Sequence, residues 1–282
     1  MVFMPLKYTN GQGTTLDLSS WPYVIQSENL FDYAWNYDAK TTGRRGGIVT
    51  NINRPVTSKE VELAIHAASE AEFVAALNTF FETTEKDVLA NKPGRLSLPN
   101  GEYLSGYFTG GKNTRWSQGI RTNIKGLTFV SSYPFWCLDV EQQFRGNEGE
   151  SSGYQWLDYS YDYAYDYTPP SIGAYLRNDH FAECDFEMRI YGPATNPSVE
   201  IGGQVYAANV TIGSNEFLII NSRDKTVTRY KQNGERVNEF NNRHSGIFTP
   251  MPPGASFVQK GDVAQVDVVL FQERSEPKWT SY

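Results

Sequence analysis

Five tyrosines, Tyr159, Tyr161, Tyr163, Tyr165 and Tyr167, alternate with Asp158, Asp162 and Asp166 in the stretch DYSYDYAYDYTPP, which could bind a metal, adhere to a surface or pack as a strap. As a helix the aspartates would stack at i, i+4 and i+8 and repel one another, and Pro169 disfavours a helical residue before it, so the extended form is expected. Extended, the tyrosines share one face and the aspartates the other. Successive aspartates then lie about 13 Å apart along the chain at roughly 3.3 Å per residue, too far to share one calcium ion. Other candidates for chemistry are weaker. GESSG at Gly149 to Gly153 matches G-x-S-x-G, yet it lies in a polar loop instead of between an apolar strand and a helix. His66, His180 and His244 are isolated in sequence, the first on the polar side of a strand and the others in polar loops, so all three read as surface residues. NGQG at Asn10 to Gly13 lacks the third glycine of a dinucleotide loop, and no G-K-[ST] occurs. Asp185 with Glu187, or Glu273 with Glu276, could be called carboxylate pairs, but spacing in sequence places neither at a glycosidase separation. Cys137 and Cys184 have no C-x-x-C partner, and Cys184 shares parity with Phe186, Met188 and Ile190, so both are expected as buried thiols outside any disulfide. Catalytic, metal and cofactor-binding residues are therefore all expected to be none.

The elements around these residues follow from patterning. The 282 residues carry a formal charge of -7, 39% apolar and 14% aromatic residues, which suit a folded chain of about two domains and not a binder of nucleic acid. No apolar run approaches the roughly 18 residues of a membrane span, and MVFMPLKYTNGQG does not resemble a signal peptide. Asn209-Val210-Thr211 is accordingly a glycosylation sequon in form only.

Most of the chain alternates with period 2. Val61, Leu63, Ile65 and Ala67 alternate with Glu60, Glu62 and His66, and Leu127 to Val130 form a denser strand. One helix is predicted over 70–90. Ser69 and Glu72 form its capping box, Phe73, Leu77, Phe80, Phe81 and Val88 recur at helical spacing, and Lys92-Pro93-Gly94 ends it. Further on, Gly202-Gly203, Ser222 to Lys225, Asn233-Gly234 and Met251 to Gly254 mark turns between short strands, the signature of a β-sandwich. RGNEGESSG at Arg145 to Gly153 is the best boundary. The expected order is an N-terminal β-rich domain over 1–153 with its helix, the Tyr/Asp-rich crossover strap over 154–170, and a C-terminal sandwich over 171–282.

Several stretches carry a specific resemblance. FEMRIYGPATNPSVEIGGQVY, NEFLIINSRDKTV, KQNGERVNEFNNR and ERSEPKW in the second half, with EFVAALNTFFETTEKDVLANKPGRLSLPNGEYLSGYF and GLTFVSSYPFW in the first, resemble the distal tail proteins of siphophages. The likeness runs in order over nearly the whole chain, and its motifs are structural. It implies an N-terminal domain closed into a hexameric ring between the tail tube protein and the tail-tip hub protein, with a galectin-like antiparallel sandwich projecting outward. It also implies a structural virion role without enzymatic activity, receptor-binding components at the periphery, and a place at the virion tail tip after assembly in the host cytoplasm. Sugar binding does not carry over, because the second half lacks the His-Asn-Pro-Arg strand of galectins and its only tryptophan is Trp279. A carbohydrate-binding module or adhesin, stacking sugars on the tyrosine run or Trp116, is the alternative from another class.

Within the first domain, YDAKTTGRRGGIVTNINRP at Tyr37 to Pro55 reads as a hairpin arm that reaches a neighbouring subunit. Gly43, Gly46 and Gly47 permit its turn, and Arg44 and Arg45 supply charge for acidic side chains across the seam. Arg44, Arg45, Gly46 and Gly47 are thus the expected interface residues.

Overall fold

A computed structural model describes residues 5–43, 45–115, 121–145 and 174–278. The protein is mainly antiparallel β-structure with a single α-helix among the described residues. No described helix is long and apolar enough to cross a membrane. The chain divides into two compact units: the first comprises Met1–Leu138 and Glu273–Tyr282, the second Asp139–Gln272. The chain therefore leaves the first unit once and returns to it for its last residues. The sequence expectation sets the division at 153 and assigns those last residues to the second domain.

The first unit is a curled sheet closed by the helix. Strands Tyr103–Arg115, Thr122–Ser131, Thr57–His66 and Tyr23–Glu28 lie in that order, and residues 103–106 of the first of them also pair with Gly94–Ser97, which leads on to Lys7–Thr9 and Thr15–Asp17. Alternation does what the pattern implies: Val61, Leu63 and Ile65 are buried inward and Leu127 and Phe129 join them. The helix Glu70–Ala90 starts at a Ser69–Glu72 capping box and ends at Asn91, whose left-handed backbone (φ 49°) breaks the turn. Its buried face is Phe73, Ala76, Phe80, Thr83, Thr84 and Asp87. The predicted stripe is thus only half right: Phe81 and Val88 stay exposed and Leu77 is half-buried, because the core takes up a narrower arc than the apolar residues supply.

Asp87 explains how this helix is tied down. The buried Tyr8 hydroxyl donates to its Oδ2 at 2.5 Å and the Gly11 amide donates to Oδ1 at 2.8 Å. Burial, then Asp87 itself, pushes the Tyr8 phenol far above its ordinary value, so it remains a donor.

The second unit is an antiparallel sandwich. One sheet runs Arg236–Asn238, Thr226–Tyr230, Phe217–Asn221, Asp185–Tyr191 and then residues 266–271 of the strand Gln265–Arg274. The other runs Ala174–Asn178, Gly254–Lys260, Ser198–Ile201 and Gln204–Ala207. Phe186, Met188, Ile190, Val199, Tyr206, Ile220, Val258 and Val268 fill the space between them. Gly202 and Gly203 take positive φ (58° and 86°) in the two-residue turn between their strands. Cys184 faces this core as its parity predicts, and Cys137 is equally buried in the first unit.

Candidate subunit interface

Residues around the predicted arm form the most unusual surface of the first unit. Asn36–Thr41 pairs antiparallel with Gly47–Asn53 as a two-stranded sheet of its own, and every residue of both strands is exposed. Gly43 and Gly46 turn it with positive φ (72° and 78°), and a Cβ on Gly47 would meet the Lys40 carbonyl oxygen at 2.7 Å. Arg45 sits exposed in that turn, and Arg44 lies outside the described residues.

Register decides what each face of the arm carries. Tyr37 opposes Ile52, and beyond a bulge at Asp38/Ala39 the pair Ala39 and Val49 continues the same face. The other face carries Asn36 with Asn53, Asp38 with Asn51, and Lys40 with Ile48. One face is therefore apolar and open, with Tyr37 at 69%, Val49 at 53% and Ile52 at 61% exposure. A lone two-stranded hairpin is marginal in water, and apolar side chains left open on it need another surface.

The base of the arm is held firmly. Arg54 places its guanidinium 5.7 Å from the Tyr33 ring centroid, 6.0 Å from Trp35 and 4.9 Å from Phe135, and donates to the Ser275 carbonyl at 3.4 Å. Burial lowers its pKa from the ordinary arginine value, the cation being desolvated among rings. Trp35 and Phe135 meet edge to face at 5.7 Å. This cage was not legible in the sequence, since Arg54 lies far from Phe135 along the chain; the aromatic run FDYAW before the arm was the available signal.

Two strand edges of the first unit are also open. Among the described pairings, the outer edge of Tyr103–Arg115 beyond Phe108 and that of Tyr23–Glu28 beyond Ile25 carry no strand. Such edges are templates for pairing with another chain.

The remaining predicted positions are placed as follows. Tyr159, Tyr161, Tyr163, Tyr165 and Tyr167, together with GESSG and Trp116, lie outside the described residues. On either side of that segment, Gln142 holds both the amide and the carbonyl of Arg177, at 2.9 and 2.7 Å, within the second unit. His66 is half-buried, stacked on Trp21 at 5.6 Å and bonded to Thr122 at 2.9 Å. His244 is exposed and meets Asn209 at 3.0 Å. His180 contradicts the expectation of a surface loop. It is buried beside Phe181 because the Asn178 side chain bends the loop inward, accepting from the His180 amide and donating to the Ala182, Met251 and Pro252 carbonyls. Among the described residues no three His, Cys, Asp or Glu side chains converge as metal ligands.

No protein-family model and no curated protein sequence matches the chain. Solved structures do. The Dit protein of phage SPP1, a hub adsorption component of phages infecting Gram-positive bacteria, superposes with a TM-score of 0.61 at 10% identity, over 95% of this chain and 99% of that one. A chain of the phage P2 baseplate in its activated conformation with calcium gives 0.66 at 13% identity over 98% and 100%, and its strontium counterpart 0.65 at 14% over 98% and 100%. The fold of the described residues is that of the phage Dit and baseplate chains.

Proposed function

We propose that this protein is a distal tail protein of a siphophage, structural and not catalytic, whose first unit assembles six copies into a ring between the tail tube and the tail-tip hub. The single observation that carries this reading is the exposed, amphipathic hairpin Asn36–Thr41/Gly47–Asn53 on a chain with the Dit fold. A monomer gains nothing from an apolar arm projecting into water, whereas head-to-tail association gives it a surface to cover. The two open strand edges of the same unit support closure, because each copy offers one edge on either side of its sheet, as a heterologous ring requires. Arg44 and Arg45, beside Gly46 and Gly47 at the tip, then meet carboxylates of the neighbour. The second unit serves the periphery, where receptor-binding components attach through loops. The strap over 154–170 fixes how that unit is held, through its five tyrosines.

The assembly test is native mass spectrometry of the purified chain and of its Arg44→Glu/Arg45→Glu variant. The account expects hexamers that weaken on charge reversal; a chain monomeric at every concentration would refute the ring, and unchanged hexamers in the variant would refute the role of the two arginines. A second reading, a carbohydrate-binding module, draws on Tyr175 and Phe257, exposed neighbours at 5.6 Å on one sheet of the second unit. Selective retention of a glycan on an array by the isolated second unit would favour it.

A further inference from the structure

The helix of the first unit carries more apolar residues than its own core covers. Val74, Phe81 and Val88 recur at intervals of seven along Glu70–Ala90 and are 49%, 36% and 44% exposed. Beside them the helix and the strand Tyr103–Arg115 leave a groove of about 270 Å³, with Phe81 and Val88 on one wall, Gly110 on the other, and Phe80, Phe108 and Leu127 as its floor. Gly110 and Gly111 contribute no side chain to the second wall, so an incoming side chain can approach that strand closely. Lys125 lies 4.4 Å over the Phe81 ring at one side, and Glu85 lines the groove.

We infer that this groove is the seat for the arm of a second copy: the Tyr37–Ile52 face of one chain packs against Phe81, Val88 and Leu127 of its neighbour. The inference rests on the ring reading and names the contact that holds it together. Three observations select a second copy as the occupant. The arm's apolar residues and the groove's apolar walls are open apolar surfaces of one and the same unit, and both remain exposed within a single chain, so the arm does not serve its own groove. Charge also fits: Lys40 and Arg45 flank the arm's tip, and Glu85, the one acidic residue lining the groove, offers them a partner beside Lys125. Their forms also agree, an apolar two-stranded face against an open groove between a helix and an open-edged strand.

Cross-linking between copies decides it. Ile52→Cys and Val88→Cys change exposed positions, and the native Cys137 and Cys184 are 2% exposed, so they do not compete. The two variants, purified separately, are mixed and oxidised, and assembly is followed in parallel by native mass spectrometry. Hexamers that yield a mixed Ile52Cys-to-Val88Cys dimer on a non-reducing gel support the inference. Val88→Glu should then keep the melting temperature while weakening assembly about tenfold or more. Hexamers without the mixed cross-link, and unaffected by Val88→Glu, overturn the groove as the seat while leaving the ring intact. An absence of hexamers overturns the ring reading and this contact with it.

Discussion

At the scale of single residues, two polar groups do more for the first unit than the sequence shows. Arg54 is a desolvated cation among Tyr33, Trp35 and Phe135, and replacing it by Ala removes three ring contacts and the bond to the Ser275 carbonyl. The expected loss is about 1–2 kcal/mol, and proteolysis at the arm's base should begin earlier than in the parent; an unchanged cleavage rate would mean the rings alone hold the base. Tyr8→Phe leaves Asp87 with the Gly11 amide as a remaining donor and should cost about 1.5–3 kcal/mol by thermal unfolding. The same variant has a pH signature. Because the folded phenol is held above its unfolded value of about 10, its contribution is complete below that pH and fades as pH rises through the folded value. The parent should thus lose stability on alkaline titration above pH 10 more steeply than Tyr8→Phe does. Residue-level legibility was uneven: Cys184 showed its burial through strand parity, while His180 hid its own because the loop that buries it is shaped by Asn178 and by carbonyls more than seventy positions away.

Elements repeat the lesson that local signals are readable and shared ones are not. The helix start was legible because a capping box is a local device, and Ser69→Ala should cost about 1 kcal/mol of stability, measured by denaturant unfolding. Which apolar residues of that helix face the core was not legible, since Phe73, Phe80, Phe81 and Val88 are equivalent in type and only the width of the sheet beneath them decides. Val88 and Phe81 mark the surplus. The arm was legible as a hairpin from its glycines, yet its amphipathic character depends on a bulge at Asp38/Ala39 that returns Val49 to the face of Ile52. Tyr37→Ser with Ile52→Ser tests the arm at this scale. Both sites are exposed, so stability should change by no more than about 0.5 kcal/mol, while sedimentation shifts toward monomers. Strong destabilisation instead would show that the arm packs on its own unit.

Across the whole molecule, the division of the chain follows contacts and not composition. The Gly-rich acidic stretch after Arg145 drew the boundary in sequence, whereas the compact first unit ends at Leu138 and takes back Glu273–Tyr282. That return is cemented inside the first unit by Glu102, which accepts from the Lys278 amide at 2.9 Å and faces Arg274 at 3.9 Å, and by Cys137, whose thiol is 3.8 Å from Glu273. No local pattern announces a closure between residues so far apart, so the fold class was readable and this chain path was not. The closeness of Cys137 and Glu273 means that residues 139–272 can be replaced by a short Gly-Ser linker without stretching the first unit. Native mass spectrometry of that shortened chain tests the central claim most directly. The account predicts hexamers from the first unit alone and monomers from the isolated residues 139–272; a monomeric first unit beside an oligomeric second would contradict it.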